Sequence, residues 1–201
     1  MTALPEPQGH PWLAMPDHLL TLEEYLSLGE TESGYTELVE GRLHMSPSPR
    51  RAHNVASLKL AMQLIPQLPG DLEVVQDIDI DLGDLAGNGL AFSRRPDLVV
   101  VSKAAGVRLD ADGGIYQASE VVVVVEIVSP GSKRTDYVTK HGEYADAGIP
   151  HYWIVDLVDR ASLVACHQAG VFGYQDAPAA TGTFTTTEPF PLKLDLDQLD
   201  S

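Results

Sequence analysis

The sequence predicts a mixed α/β (α+β) fold, with a central mixed β-sheet flanked by helices and preceded by an N-terminal helix and hairpin. Three observations carry this expectation. Val121 to Val128 is an almost unbroken β-branched run, the composition of a strand covered on both faces. Helical spacing of apolar residues at 50–65, and a helix over 135–147 ended by Gly148 and Pro150, alternate with strand-like segments. At 201 residues and 44% hydrophobic content, the chain can fill one core but not two ordinary domains. We expect an extended arm over 1–20, one domain over 21–190 and a tail over 191–201.

The elements follow in order. Pro5, Pro7, Pro11 and Pro16 prevent a helix in the arm. Thr21 with Glu24 has capping-box spacing for a short helix to about Leu28. Tyr35 to Val39, a Glu40-Gly41 turn and Arg42 to Met45 make a hairpin ended by Pro47 and Pro49. In the next helix Val55, Leu58, Met62 and Ile65 recur at helical spacing, and Ala56, Leu60 and Leu64 widen the face, so packing over much of its circumference is expected until Pro66. Leu72 to Leu82 reads as one half-exposed strand, with Ile78, Ile80 and Leu82 on one face and Asp77, Asp79 and Asp81 on the other. A loop leads to a strand over Asp97 to Val101, and a second loop with Gly113 and Gly114 leads to Val121. Ser129-Pro130-Gly131-Ser132 breaks that strand. A helix then runs from Thr135 to Ala147, with Gly148 suited to a left-handed C-cap and Pro150 preventing continuation. Further strands lie at His151 to Asp156, Leu163 to His167 and Val171 to Gln175.

A formal charge of −16 argues against nucleic acid when taken alone, since phosphates call for a basic surface. Ten of the 13 lysines and arginines nevertheless cluster in three segments: Arg42, Arg50, Arg51 and Lys59; Arg94, Arg95 and Lys103; and Lys133, Arg134 and Lys140. The stretch from Asp71 to Asp84 is acidic with no basic residue. A local basic rim on an acidic body fits this pattern. No apolar run is long enough to cross a bilayer and no secretory leader is evident, so a cytoplasmic protein without membrane contact is expected. Cys166 lies in an apolar, alternating stretch and reads as a small buried hydrophobe. His141, His151 and His167 lack zinc-like spacing with each other or with Cys166. Asp77-Ile-Asp-Ile-Asp fails as a calcium loop, because Leu82 and Asn88 occupy the positions that need glycine and glutamate.

The chemistry starts from Glu126, inside the valine run. An ionised carboxylate there needs a cation or strong donors to offset desolvation. Asp97 opens another strand in Arg94-Arg95-Pro96-Asp97, and neighbouring strands would bring the two acids together. Two acids in a dry pocket suit a hard divalent ion such as Mg²⁺, with Mn²⁺ as a substitute. Asp136, Lys140 and Tyr144 are four residues apart and share a helical face, from which Lys140 can reach back to the acids. Such a set hydrolyses phosphodiesters: the cations neutralise phosphate charge and activate water. A structural alternative stands beside it, in which Asp97 caps a turn and Glu126 and Lys140 form a buried ion pair. Glu37 lies on a strand face with Tyr35 and Val39. His53, in the first turn of its helix, either binds phosphate, holds Glu37 or is a hydrogen-bonded core residue.

These residues carry a resemblance. Tyr35-Thr-Glu-Leu-Val-Glu-Gly-Arg-Leu, Ser46-Pro with His53, Arg95-Pro-Asp-Leu-Val-Val-Val, Val125-Glu-Ile-Val-Ser-Pro-Gly-Ser, then Asp136, Lys140, Tyr144 and Gly148-Ile-Pro-His-Tyr-Trp-Ile-Val-Asp resemble a bacterial family of predicted restriction endonucleases. That family was formerly a domain of unknown function and belongs to the PD-(D/E)XK nuclease-like superfamily. The resemblance spans about Thr21 to Asp156. It implies a restriction-endonuclease-like core with Asp97 and Glu126 as metal ligands and favours Glu37 as a further acid. The superfamily lysine two residues after the second acid is replaced here by Val128, so the resemblance requires a relocated lysine, and Lys140 is the candidate.

The leading reading is a Mg²⁺-dependent endonuclease acting on DNA, with catalytic Asp97, Glu126, Lys140 and Glu37. Phosphate contacts would come from His53, Arg94, Arg95, Lys133 and Arg134, and a homodimer would suit cleavage of two strands. The alternatives are a non-catalytic nuclease-fold binding module and a hydrolase of a smaller phosphoester.

Overall fold

A computed structural model describes residues 16–29, 35–46 and 48–199. Helix α1 (Leu22–Ser27) precedes the hairpin of β1 (Tyr35–Val39) and β2 (Arg42–Ser46). Then come α2 (Arg51–Leu64), β3 (Leu72–Gln76), β4 (Ile80–Gly83), β5 (Phe92–Arg94), β6 (Leu98–Ser102), α3 (Lys103–Asp112), β7 (Tyr116–Gln117) and β8 (Val121–Val128). A π-helical turn (Thr135–Lys140) runs into α4 (His141–Asp146). The chain continues through β9 (His151–Asp156), β10 (Ser162–Gln168), β11 (Tyr174–Asp176), β12 (Ala180–Thr181), β13 (Thr183–Thr186) and β14 (Leu192–Asp195).

The larger sheet is ordered β11-β10-β9-β8-β6-β3, with β12 beside β10; a second sheet is ordered β2-β1-β5-β4-β7, and β13 and β14 form a ribbon. Both larger sheets are mixed. β8 runs parallel to β9, joined through the π turn and α4, and β4 runs parallel to β7; the other pairings are antiparallel. The fold is therefore the expected mixed sheet flanked by helices.

β8 has both faces covered, which is why its sequence barely alternates. Val123, Val125 and Ile127 pack among Leu60 and Leu64 of α2, Trp153 and Leu194. Val124 and Val128 pack on the opposite face with Tyr144, Ile149 and Tyr152. Each such side chain contributes about 1.5–3 kcal/mol on burial, so a charged residue in this strand needs its own compensation.

Local signals hold at several ends. Thr21 and Glu24 form the reciprocal capping box of α1. Glu40 and Gly41 both have positive φ, 50° and 70°, the requirement of a two-residue type I′ hairpin turn. Gly41 also sits where a Cβ would meet the Leu20 carbonyl oxygen at 3.0 Å, and its own carbonyl accepts from the Leu20 amide at 2.7 Å. Gly148, at φ 76°, completes a Schellman ending on α4: Ile149 N–H donates to Tyr144 O at 3.1 Å and Gly148 N–H to Ala145 O at 3.0 Å.

The structure corrects other expectations. The 72–82 strand is two strands in different sheets, β3 and β4, separated where Asp77 adopts φ 49°. The residues after β6 form α3, capped by Ser102 Oγ accepting from the Ala105 amide, rather than a loop. α2 buries Ala56, Ser57, Leu60, Ala61 and Leu64 fully, leaving Leu58, Met62 and Ile65 exposed. Residues assigned to a tail from 191 form β14 and a 3-10 turn, because Leu192, Leu194, Leu196 and Leu199 complete the core on the α2 side. Of the expected arm, residues 1–15 lie outside the described residues. No helix among the described residues is long and apolar enough to cross a membrane.

Candidate active site

The β6–β8 register pairs Leu98 with Val125, so Asp97 and Glu126 stand one step further along neighbouring strands. Alternation turns Glu126 to the same face as Val124 and Val128, the face covered by Tyr144. The π turn and α4 cross that face and bring Asp136, Lys140 and Tyr144 onto it, all three buried. The expected four-residue spacing thus delivers one inward face even though part of the segment is π-helical. A π turn is frequent at functional sites.

Glu126 is the centre of the arrangement. Its Oε1 accepts from Lys140 Nζ at 2.7 Å and from Tyr144 Oη at 2.7 Å. Tyr144 is the same residue whose carbonyl anchors the Schellman ending, so the Gly148 cap fixes the ring that orients the acid. Lys140 Nζ also lies 3.1 Å from Glu37 Oε1. Asp97 Oδ2 accepts from the Ile127 amide at 2.6 Å and lies 3.1 Å from His53 Nε2. Asp97, Glu126, Lys140, Glu37 and His53 therefore line one cleft of about 550 Å³.

Charge in this cleft is unevenly balanced. Burial pushes the Glu126 carboxyl up to about 8, against the pull of Lys140 and with Asp97, Asp136 and Glu37 reinforcing the rise. Burial acts the same way on Glu37, but Lys140 and Arg94 outweigh it and hold that carboxyl below its ordinary range. Burial opposes the Lys140 charge, which Glu126 and Glu37 restore, so the ammonium is held above its ordinary range. Asp136 and Asp77 are both raised, chiefly by burial. His53 is raised because the hydrogen bond and charge of Asp97 outweigh its burial.

This donor set fits a hard divalent cation. Asp97 and Glu126 each keep one carboxylate oxygen that no described protein group engages, and the excess acidity would be relieved by added positive charge.

The arginines are placed differently from the rim expected of them. Arg94 is buried, with Nη1 donating to Glu37 Oε2 at 2.8 Å and Nε and Nη2 gripping both oxygens of Glu143 at 2.7 Å. Arg95 donates from its amide to Glu37 Oε1 at 3.2 Å, and its guanidinium grips Asp79 through two bonds of 2.7–2.8 Å. Both line the cleft, but as supports of its acids. Asp79, expected on a solvated face, is buried by this pairing. Lys133 is paired with Asp156 at 2.9 Å, and neither it nor Arg134 lines the cleft. Arg50 and Asp77 do line it, unanticipated. A signal for Asp77 existed, since aspartate tolerates positive φ and so marks a break between strands; Arg50 stands at the N-cap of α2, beside His53 in the same turn.

A mixed sheet presenting two adjacent carboxylates, with a buried lysine beside them, defines a nuclease-like fold. The chain belongs to the Uma2 family, described as "Putative restriction endonuclease", which residues 22–198 match. A solved structure from Anabaena variabilis, described as a "putative nuclease belonging to DUF820", superposes with a TM-score of 0.67 at 18% identity, covering 90% of this chain and 97% of that one. No curated protein sequence matches.

Proposed function

We propose that this protein is a Mg²⁺-dependent endonuclease of the cytoplasm that hydrolyses DNA phosphodiester bonds. The observation that supports the reading most is Lys140 Nζ, 2.7 Å from Glu126 Oε1: in this reading Lys140, from the π turn, takes the role of the lysine that the position of Val128 does not supply. Asp97 and Glu126 would hold the ion, which when bound would supply Lewis acidity and acidify a water. Lys140 orients the attacking water and stabilises charge that develops on the phosphate oxygens. Glu37 fixes Lys140 and is itself fixed by Arg94 and the Arg95 amide. His53 and the Ile127 amide hold Asp97 through Oδ2 and so would fix the carboxylate's orientation toward an ion. Exposed Arg50, at the cleft, takes the phosphate-contacting role expected of Arg94.

Two copies would place two clefts on one duplex, and the exposed stripe of Leu58, Met62 and Ile65 supports such a pairing. Light scattering on the purified protein tests it, with a monomer at all concentrations as the contrary result.

Plasmid and single-stranded DNA incubated with Mg²⁺ or Mn²⁺ test the activity. The wild type should nick, and Asp97→Ala and Glu126→Ala should not; equal residual cleavage in all three would contradict the reading. A second reading, a non-catalytic module that binds protein, is favoured by the −16 charge and by the inward pairing of Arg94 and Arg95, which leave few cations for phosphates. Absence of both cleavage and salt-dependent DNA binding in the purified protein would support it.

A further inference from the structure

Behind α4, away from the acidic cleft, His141, Cys166 and Asp176 converge. Their ligand atoms all lie within 4.8 Å of one another. Cys166 on β10 and Asp176 on β11 are register partners, so their side chains share a face of the hairpin. His141, first residue of α4, reaches the same spot, with Nε2 2.8 Å from Asp176 Oδ1. Its ring is held edge-on by Tyr174 and Tyr152, with centroids 5.3 and 6.3 Å away. The thiol is buried, His141 is partly open and Asp176 is half exposed, which gives a soft inner ligand and an entry route from solvent. The sequence conceals this grouping: the ligands come from three elements, with none of the short spacings that mark zinc motifs.

We propose that His141 Nε2, Cys166 Sγ and Asp176 bind a Zn²⁺-type transition-metal ion, with water completing a four-coordinate shell. Imidazole, thiolate and carboxylate are the three ligand types zinc takes, and three protein ligands with one open position is a known arrangement. A tetrahedral shell with those bond lengths needs ligand atoms roughly 3.3–3.6 Å apart. The His141–Asp176 contact of 2.8 Å must widen, and a separation at the 4.8 Å limit would have to shorten by roughly 1 Å to reach that tetrahedral spacing, which the half-exposed Asp176 side chain can absorb. Binding replaces the S–H bond by an S–metal bond and releases one proton to solvent, with no change of oxidation state.

The site ties the β10–β11 hairpin to the helix that carries the catalytic segment. Lys140 immediately precedes His141, and Tyr144 follows one turn later. An ion at His141 therefore anchors the segment that positions both groups on Glu126.

The test is titration of chelator-treated, full-length protein with Co²⁺ alone. We expect a thiolate-to-cobalt charge-transfer absorption saturating at one equivalent, displaced by Zn²⁺ and accompanied by a rise in Tm. Cys166→Ser should lose the band. Asp176→Asn, at a half-exposed side chain and with an unchanged circular dichroism spectrum as the check on folding, should weaken Co²⁺ binding by at least about 10- to 100-fold, the effect of losing a metal site's supporting partner. Asp97→Ala and Glu126→Ala should leave the band unchanged. Absence of the band at saturating Co²⁺, equal affinity in Asp176→Asn, or loss of the band in Asp97→Ala would overturn the proposal.

Discussion

Lys140 Nζ lies 2.7 Å from Glu126 Oε1 although 14 residues separate them in sequence. The parallel β8–β9 connection folds that interval back over its own strand, so a lysine from the helical segment reaches the face of β8 that carries Glu126. Val128, two residues beyond Glu126, instead packs into the core.

Replacing Lys140 separates chemistry from stability. Lys140→Met should reduce cleavage by about 10²–10³-fold, the effect of removing one preorganised electrostatic group. It should also destabilise the protein by about 3–5 kcal/mol, since Glu126 and Glu37 lose a buried partner. Urea unfolding beside the nicking assay distinguishes the effects, and a stable but inactive variant would still place the amine in the chemistry.

Arg94 should behave as a structural cation. Arg94→Ala leaves Glu37 and Glu143 without their guanidinium and should lower stability by about 3–5 kcal/mol. Lys133→Ala and Arg134→Ala, outside the cleft, should leave the urea midpoint and cleavage rate unchanged. A loss of DNA affinity in Arg94→Ala without a stability change would contradict this assignment.

Tyr144→Phe removes one hydrogen bond to Glu126 while keeping the packed ring, and should cost about 1 kcal/mol of stability. Metal affinity should fall with it, as calorimetric titration with Mn²⁺ would report. Unchanged stability and unchanged affinity would mean that the hydroxyl does not orient the acid.

Acid should weaken the fold through Glu37. Its folded pKa lies below the ordinary 4.5, so the unfolded chain binds the proton first as pH falls. The stabilisation is fully present above the unfolded value and is lost as pH drops through the folded one. Stability measured by denaturant from pH 7 downward should fall across that window, and Glu37→Gln should flatten the slope there.

The parts of this arrangement legible in sequence are those set by local spacing. Asp97 and Glu126 were marked by strand context, Lys140 and Tyr144 by a four-residue period, and the Gly148 ending by its glycine. What stayed hidden depends on pairing across the chain. Arg94 and Arg95 look like phosphate contacts until Glu143 and Asp79, far away in sequence, are found to neutralise them. Asp77 looks like one tooth of an alternating strand, and the aspartate's tolerance of positive φ, the one signal of the break, is masked by the same residue type at 79 and 81. The C-terminal leucines look like a tail until α2 presents a face for them, and α3 has too few apolar residues to show a period.

Crystals soaked with Mn²⁺ test the central claim most directly, through the anomalous signal of the ion. An ion should appear bonded to oxygens of both Asp97 and Glu126, with Lys140 still beside Glu126, and none should appear there in Asp97→Ala. A cleft that stays without an ion at saturating Mn²⁺, in crystals of protein that cleaves DNA, would contradict it.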